Sequence, residues 1–206
     1  MAQPSSGFVL GVVVAGLCSA GPIGTGAERA DAFPLVVIVH DRAHVAETLD
    51  HALPEAARIY GLIGVAIEWD MDPERPAAAE REQRPPAFTV QLIIQATLKA
   101  QREPTAKFVM GAALKTAHDC KGTVYVFNDE VVGFSRVQRI RPGLAMGTVI
   151  AHEVGHLLTR QKGHSPKGLM RPLLGVDDWE SAAMGLLWFS PDDAAIIRAN
   201  TSSCRP

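Results

Sequence analysis

The run HEVGH at 152–156 holds the side chains in this chain best suited to chemistry. On an α-helix, residues four apart share a face, so His152 and His156 can aim both imidazoles at one point. Two imidazoles at that spacing suit a zinc ion. Glu153 lies roughly 100° around the helix from His152, which is awkward for a shared ligand. That position suits a general base, taking a proton from a water whose pKa zinc lowers to about 7. A carboxylate buried there without a cation beside it is costly, so a purely structural Glu153 is the weaker account. Residues 144–150 are mostly apolar, as are Val154, Leu157 and Leu158, and a buried helix requires this. A third histidine, His164, follows a loop at 159–163 that ends in Gly163 and contains no proline. That glycine allows the chain to turn His164 back onto the metal. Met170 lies just beyond.

The order HExxH, turn, third His, then Met resembles the metzincin group of zinc metallopeptidases. The HS…LM pairing at 164–170 is similar to the end of that motif in matrix-type enzymes. The resemblance spans residues 148–172. The group's pattern has Gly three residues after the second His and the third His three residues later. Thr159 and Lys162 stand at those positions here and His164 falls two residues late, so this is a variant with a lengthened loop. The wording HEVGHLL…HSPKGLMR is also similar to small bacterial exported zincin-like proteins. The resemblance implies a peptidase with His152, His156 and His164 as zinc ligands, Glu153 as base, and Met170 as a packed floor below the metal. It also implies a mixed sheet over the active-site helix, with a substrate cleft below the sheet's edge strand. Glu180 is the rival third ligand, because a Glu from a second helix completes the gluzincin arrangement; Asp177 and Asp178 are lesser options. Gly155 inside the helix is unfavourable by about 1 kcal/mol relative to Ala. Close approach of another backbone segment would explain it.

The elements that must position these residues can be read from pattern. Residues 35–39 (LVVIV) suit a strand buried on both faces. A helical repeat over 43–59 contains Pro54, which predicts a kink or a break. A second strand at 65–69 completes a strand–helix–strand crossover. Residues 72–87 are a proline-rich loop and 88–95 a third strand, while 108–114 fits a strand or a short helix. A fourth strand at 123–127 stops at Asn128-Asp129, and the metal helix should run over 144–159. A helix follows at 177–187 with Asp178 as its cap, and Ser190-Pro191-Asp192-Asp193 opens another. The expected class is α+β: a small zincin-like domain with about four strands in a mixed sheet over the active-site helix, followed by C-terminal helices.

The 206 residues, 47% apolar and 20% charged, suit one globular domain with a leader. A net charge of −2, with Arg136, Arg139 and Arg141 as the only tight basic group, argues against nucleic acid and anionic membranes. Residues 8–17 are apolar, too short for a span of about 20 residues but the length of a signal-peptide core. Residues 1–7 carry no Lys or Arg, and a Gly/Ala-rich tail is the other reading. The division expected is a leader at 1–32 and a single domain at 33–206, secreted or periplasmic, with no stable membrane insertion once the leader is removed. Cys120 and Cys204 then remain, as one disulfide in an oxidising compartment or two free thiols in a reducing one. The expected function is an exported zinc-dependent hydrolase acting on a peptide or protein substrate. A non-catalytic zinc-binding domain and a zinc hydrolase of a non-peptide amide are the alternatives. Glu153 speaks against the first, since a structural site needs ligands but no base.

Overall fold

The computed structural model describes residues 34–72, 88–97, 109–115, 120–160 and 163–204. The expected leader at 1–32 and the loop at 73–87 lie outside these residues. The aliphatic run becomes β1 (Pro34–Asp41), with Leu35, Val37 and Val39 buried in the core. α1 (Ala46–Gly61) follows, and β2 (Ala66–Asp70) returns parallel to β1, which is the expected crossover. β3 (Phe88–Gln95) pairs parallel with the other edge of β1, and β5 (Lys121–Phe127) pairs parallel with β3. β4 (Gly111–Lys115) runs antiparallel along β5 and closes the sheet order β2-β1-β3-β5-β4. The fold is thus α+β with a mixed sheet.

The sheet has one strand more than the sequence pattern suggests. β4 reads GAALK, with no β-branched or aromatic residue to raise its strand propensity. Its pairing with β5, from Gly111↔Val126 to Lys115↔Gly122, makes it a strand. A second difference is α2 (Asn128–Gln138), which begins where the sequence was read only as a strand stop. α1 runs through Pro54 without being divided. Pro54 and Asp50, whose carbonyl loses its helical donor, are both exposed, while Leu49, Ala52, Ala56 and Ile59 hold the opposite face in the core.

α3 (Pro142–Thr159) carries the HEVGH run and starts two residues earlier than its pattern, with Pro142 at the first position. One side packs on α1 so closely that a Cβ at Gly147 would lie 2.6 Å from the Ala52 carbonyl oxygen. The buried Tyr60 hydroxyl of α1 donates to the Ala151 carbonyl at 3.0 Å. Another side meets the sheet, where Leu157 fills the space left by Gly122. α4 (Val176–Ala183) is preceded by Gly175, whose N–H donates to the Asp178 carboxylate at 2.8 Å. Asp178 therefore closes the first turn from inside the helix and is not its cap. α5 (Pro191–Ser202) starts as its sequence indicates, Ser190 Oγ accepting from the Asp193 N–H. Among the described residues no helix is long and apolar enough to cross a membrane.

Cys120, at the entry to β5, is joined to Cys204, just past α5, in a disulfide with Cα atoms 5.7 Å apart and a sequence separation of 84. Closing a loop of that length is worth roughly 4–5 kcal/mol in the chain-entropy model. Cys204→Ser should accordingly lower the unfolding free energy by about 2–5 kcal/mol in urea denaturation. Reductant should bring the wild type to the same level. Equal stability with and without reductant would show that the bond contributes nothing.

Candidate metal centre

Helical spacing sets His152 and His156 on one face of α3, and the loop after α3 brings His164 back to meet them. Their ligand nitrogens all lie within 4.8 Å of one another. The ring centroids of His156 are 4.7 Å from those of both His152 and His164, and the remaining pair is 5.3 Å apart. A zinc ion holds imidazole nitrogen at about 2.0–2.1 Å. The three histidines lie close enough together to hold a metal ion. Glu180 is exposed on α4 and outside the group, and Asp177 is exposed as well. The Asp178 carboxylate is taken by Arg171 Nη1 at 2.6 Å and the Gly175 N–H.

The two helical imidazoles each present a lone pair for a physical reason. His152 Nδ1 donates to the Leu169 carbonyl at 2.8 Å. A carbonyl only accepts, so the proton resides on Nδ1 and Nε2 is left free for a cation. Burial lowers the pKa of His152, partly offset by that hydrogen bond. His156 is lowered to about 4, first by burial and then by the neighbouring His152 and His164 charges. Both rings are therefore neutral at pH 7, as metal ligation demands.

Glu153 points from the same helix toward β4. A Cβ at Gly111 would lie 2.6 Å from Glu153 Cγ and 2.9 Å from its Oε1, so the carboxylate rests directly against the edge strand. Burial pushes its pKa up from the ordinary 4.5 to about 7. Beneath the helix, Met170 is fully buried, and a Cβ at Gly155 would meet its Sδ at 2.6 Å and Phe189 Cε1 at 3.0 Å. Two side chains, not the backbone segment expected from sequence, thus account for that glycine.

His152, Glu153 and His164 line one wall of a cleft of about 580 Å³. The rest of the wall is mainly apolar, with Met110, Val149 and Leu174, the tilted pair Phe134 and Trp179 with centroids 5.2 Å apart, and Arg171. Sequence reasoning did not find these wall residues. Phe134 sits on α2, which the sequence pattern does not mark, and Trp179 is a buried residue of α4. No motif marks either; only the meeting of α2, α4 and β4 makes them neighbours. The remaining histidines stay outside the group: His40 Nε2 pairs with Gln91 Oε1 at 2.6 Å, His44 and His51 are exposed, and His118 lies outside the described residues. Arg136, Arg139 and Arg141 are all exposed. No protein-family model matches the chain, and no curated protein is similar to it in sequence.

Two outcomes follow from this geometry. His164→Ala should weaken metal binding by well over tenfold in chelator competition, whereas Glu180→Ala should leave it unchanged; the reverse order would relocate the third ligand. The second concerns Glu153 in the metal-free protein. A carboxyl with a higher pKa folded than unfolded favours folding while protonated, fully below about pH 4.5 and no longer once pH has risen through about 7. Metal-free Glu153→Gln should therefore exceed the wild type in stability at pH 8 by on the order of 1–3 kcal/mol, and converge with it near pH 4. Urea denaturation with chelator at both pH values reads this directly.

Proposed function

We propose that this chain is a zinc-dependent hydrolase acting on peptide or protein amides. The observation that carries the reading is the convergence of His152, His156 and His164, with two of them and Glu153 on the wall of one mainly apolar cleft. Three imidazoles beside a cleft suit a catalytic zinc ion better than a closed structural site of four protein ligands. When bound, zinc supplies Lewis-acid polarisation of a carbonyl and makes a nearby water more acidic.

The chain's own residues would do the rest. His152, oriented by the Leu169 carbonyl, and His156, held by the helix, keep their lone pairs on one point. Glu153, with a pKa near 7, can take a proton from water and return it to a leaving amine at neutral pH. The apolar cleft walls exclude water and can accept a side chain of the substrate. β4 favours a peptide over a small amide, because it is the sheet's edge and its first residue, Gly111, lines the cleft together with Met110 just before it. An extended peptide can pair with such an edge through main-chain hydrogen bonds while a side chain enters the cleft. Met170, packed under Gly155, would serve as the floor of the centre. The Cys120–Cys204 bond supports an exported, oxidising location, where such bonds persist.

The deciding experiment is metal analysis of the purified protein together with a peptide-library digest, with and without chelator. Zinc and chelator-sensitive cleavage are expected. Glu153→Gln should retain zinc and fold while hydrolysis falls about 10²–10⁴-fold. Zinc without cleavage of any amide would make this a metal-binding domain without catalysis, cleavage of small amides alone would change the substrate class, and loss of zinc from the mutant would make Glu153 a ligand.

A further inference from the structure

The three imidazoles are not held equally well. His152 and His156 are fixed by a buried helix, and His152 also by its hydrogen bond to Leu169. His164 is exposed on a loop, and among the described residues its ring has no hydrogen-bond partner. Its position must therefore come from its backbone, and the next residue is where that backbone is tied. Ser165 N–H donates to the Met170 carbonyl at 2.8 Å, and Ser165 Oγ donates to Asp193 Oδ1 at 2.6 Å across 28 residues of sequence.

Asp193 is only 2% exposed. Its second oxygen accepts from Ser190 Oγ at 2.6 Å, while its own N–H donates to Ser190 Oγ at 3.2 Å. No ion pair to Asp193 is found among the described residues. A buried carboxylate is expensive unless its oxygens are hydrogen-bonded, and here each oxygen has a hydroxyl donor while the N-terminus of α5 favours the negative charge. Starting α5 does not require this: Ser190 caps it and the exposed Asp192 already puts an acid in its first turn. What the buried acid adds is the tie to Ser165.

We propose that Asp193 is a positioning residue that, through Ser165, holds His164 in place and so sets how tightly the centre binds its metal; this rests on the reading of the three histidines as a metal site. Partners one step removed from a metal typically alter affinity 10–100-fold, and a tie acting through the adjacent residue belongs at the lower end, about tenfold.

The test uses the full chain and zinc ion alone, with Kd from chelator competition and stability from urea denaturation of the metal-free protein. Ser165→Ala should raise the zinc Kd about tenfold with little change in metal-free stability. Ser165→Thr, which keeps the hydroxyl, should restore the wild-type Kd. Ser190→Ala should do the opposite of Ser165→Ala, lowering stability through the lost cap while leaving Kd in place. Asp193→Asn should raise Kd, and adding it to Ser165→Ala should weaken binding no further, since both remove one tie. Asp192→Asn should change neither quantity. Wild-type Kd in Ser165→Ala, or an equal rise in Ser190→Ala, would overturn the proposal and leave Asp193 a support for α5 only. A wild-type chain that binds no zinc would instead refute the metal reading, and this proposal with it.

Discussion

Burying α3 between the sheet and α1 is the constraint from which the other arrangements in the domain follow. Gly147 lets α1 come close, Tyr60 supplies a donor to a carbonyl of the helix, and Leu157 enters the gap over Gly122. With those sides committed to the core, the helix has one open flank, and His152, Glu153 and His156 lie along it. A helix anchored this firmly cannot adjust its register or tilt to suit an ion. The adaptable part of the centre is therefore the loop that carries His164, and fixing that loop falls to contacts outside α3.

The same burial governs the electrostatics. Three imidazoles with centroids 4.7–5.3 Å apart would repel if all were charged, and removal from water suppresses charge on the two helical rings before any metal arrives. Glu153 experiences the same environment with the opposite consequence, since loss of water raises a carboxyl's pKa and lowers an imidazole's. One dry flank thus yields two neutral imidazoles and a carboxyl whose pKa lies near neutrality.

Where chemistry imposes a spacing, the sequence was readable. The i, i+4 histidines, the apolar helix around them, the Ser-Pro start of α5 and the alternating run of β3 all appear where local pattern placed them. The choice of His164 over Glu180 was legible in part, because Gly163 and a proline-free loop permit the return, but only the fold shows Glu180 facing solvent. β4 stays open between strand and short helix in the sequence, and α2 is hidden, for different reasons. β4 has no strand-forming composition and exists because β5 offers it a partner; α2 is short and buries only Val131 and Ser135. Pro54 misled in the other direction, as packing along α1 outweighs one missing hydrogen bond at an exposed turn. Phe134, Trp179 and Asp193 were invisible as site residues, since each gains its role from a contact distant in sequence.

The Cys120–Cys204 bond and the contacts around it also bear on when, during synthesis, the centre can exist. A chain is made from its N-terminus, and several contacts that support the three histidines and their helix lie downstream of what they support: Leu169 for His152, Met170 beneath Gly155, Asp193 for Ser165, and Asn200, whose side-chain amide donates to the Leu158 carbonyl at 2.7 Å. Emerging from the ribosome, α3 would present two imidazoles with neither floor nor third arm. Because Asn200 and Cys204 belong to the last described stretch, the centre closes only after almost all of the described chain has been synthesised, and the covalent lock follows only in an environment that oxidises thiols. On the proposed reading, metal loading would fall at the end of the protein's maturation, not at its beginning.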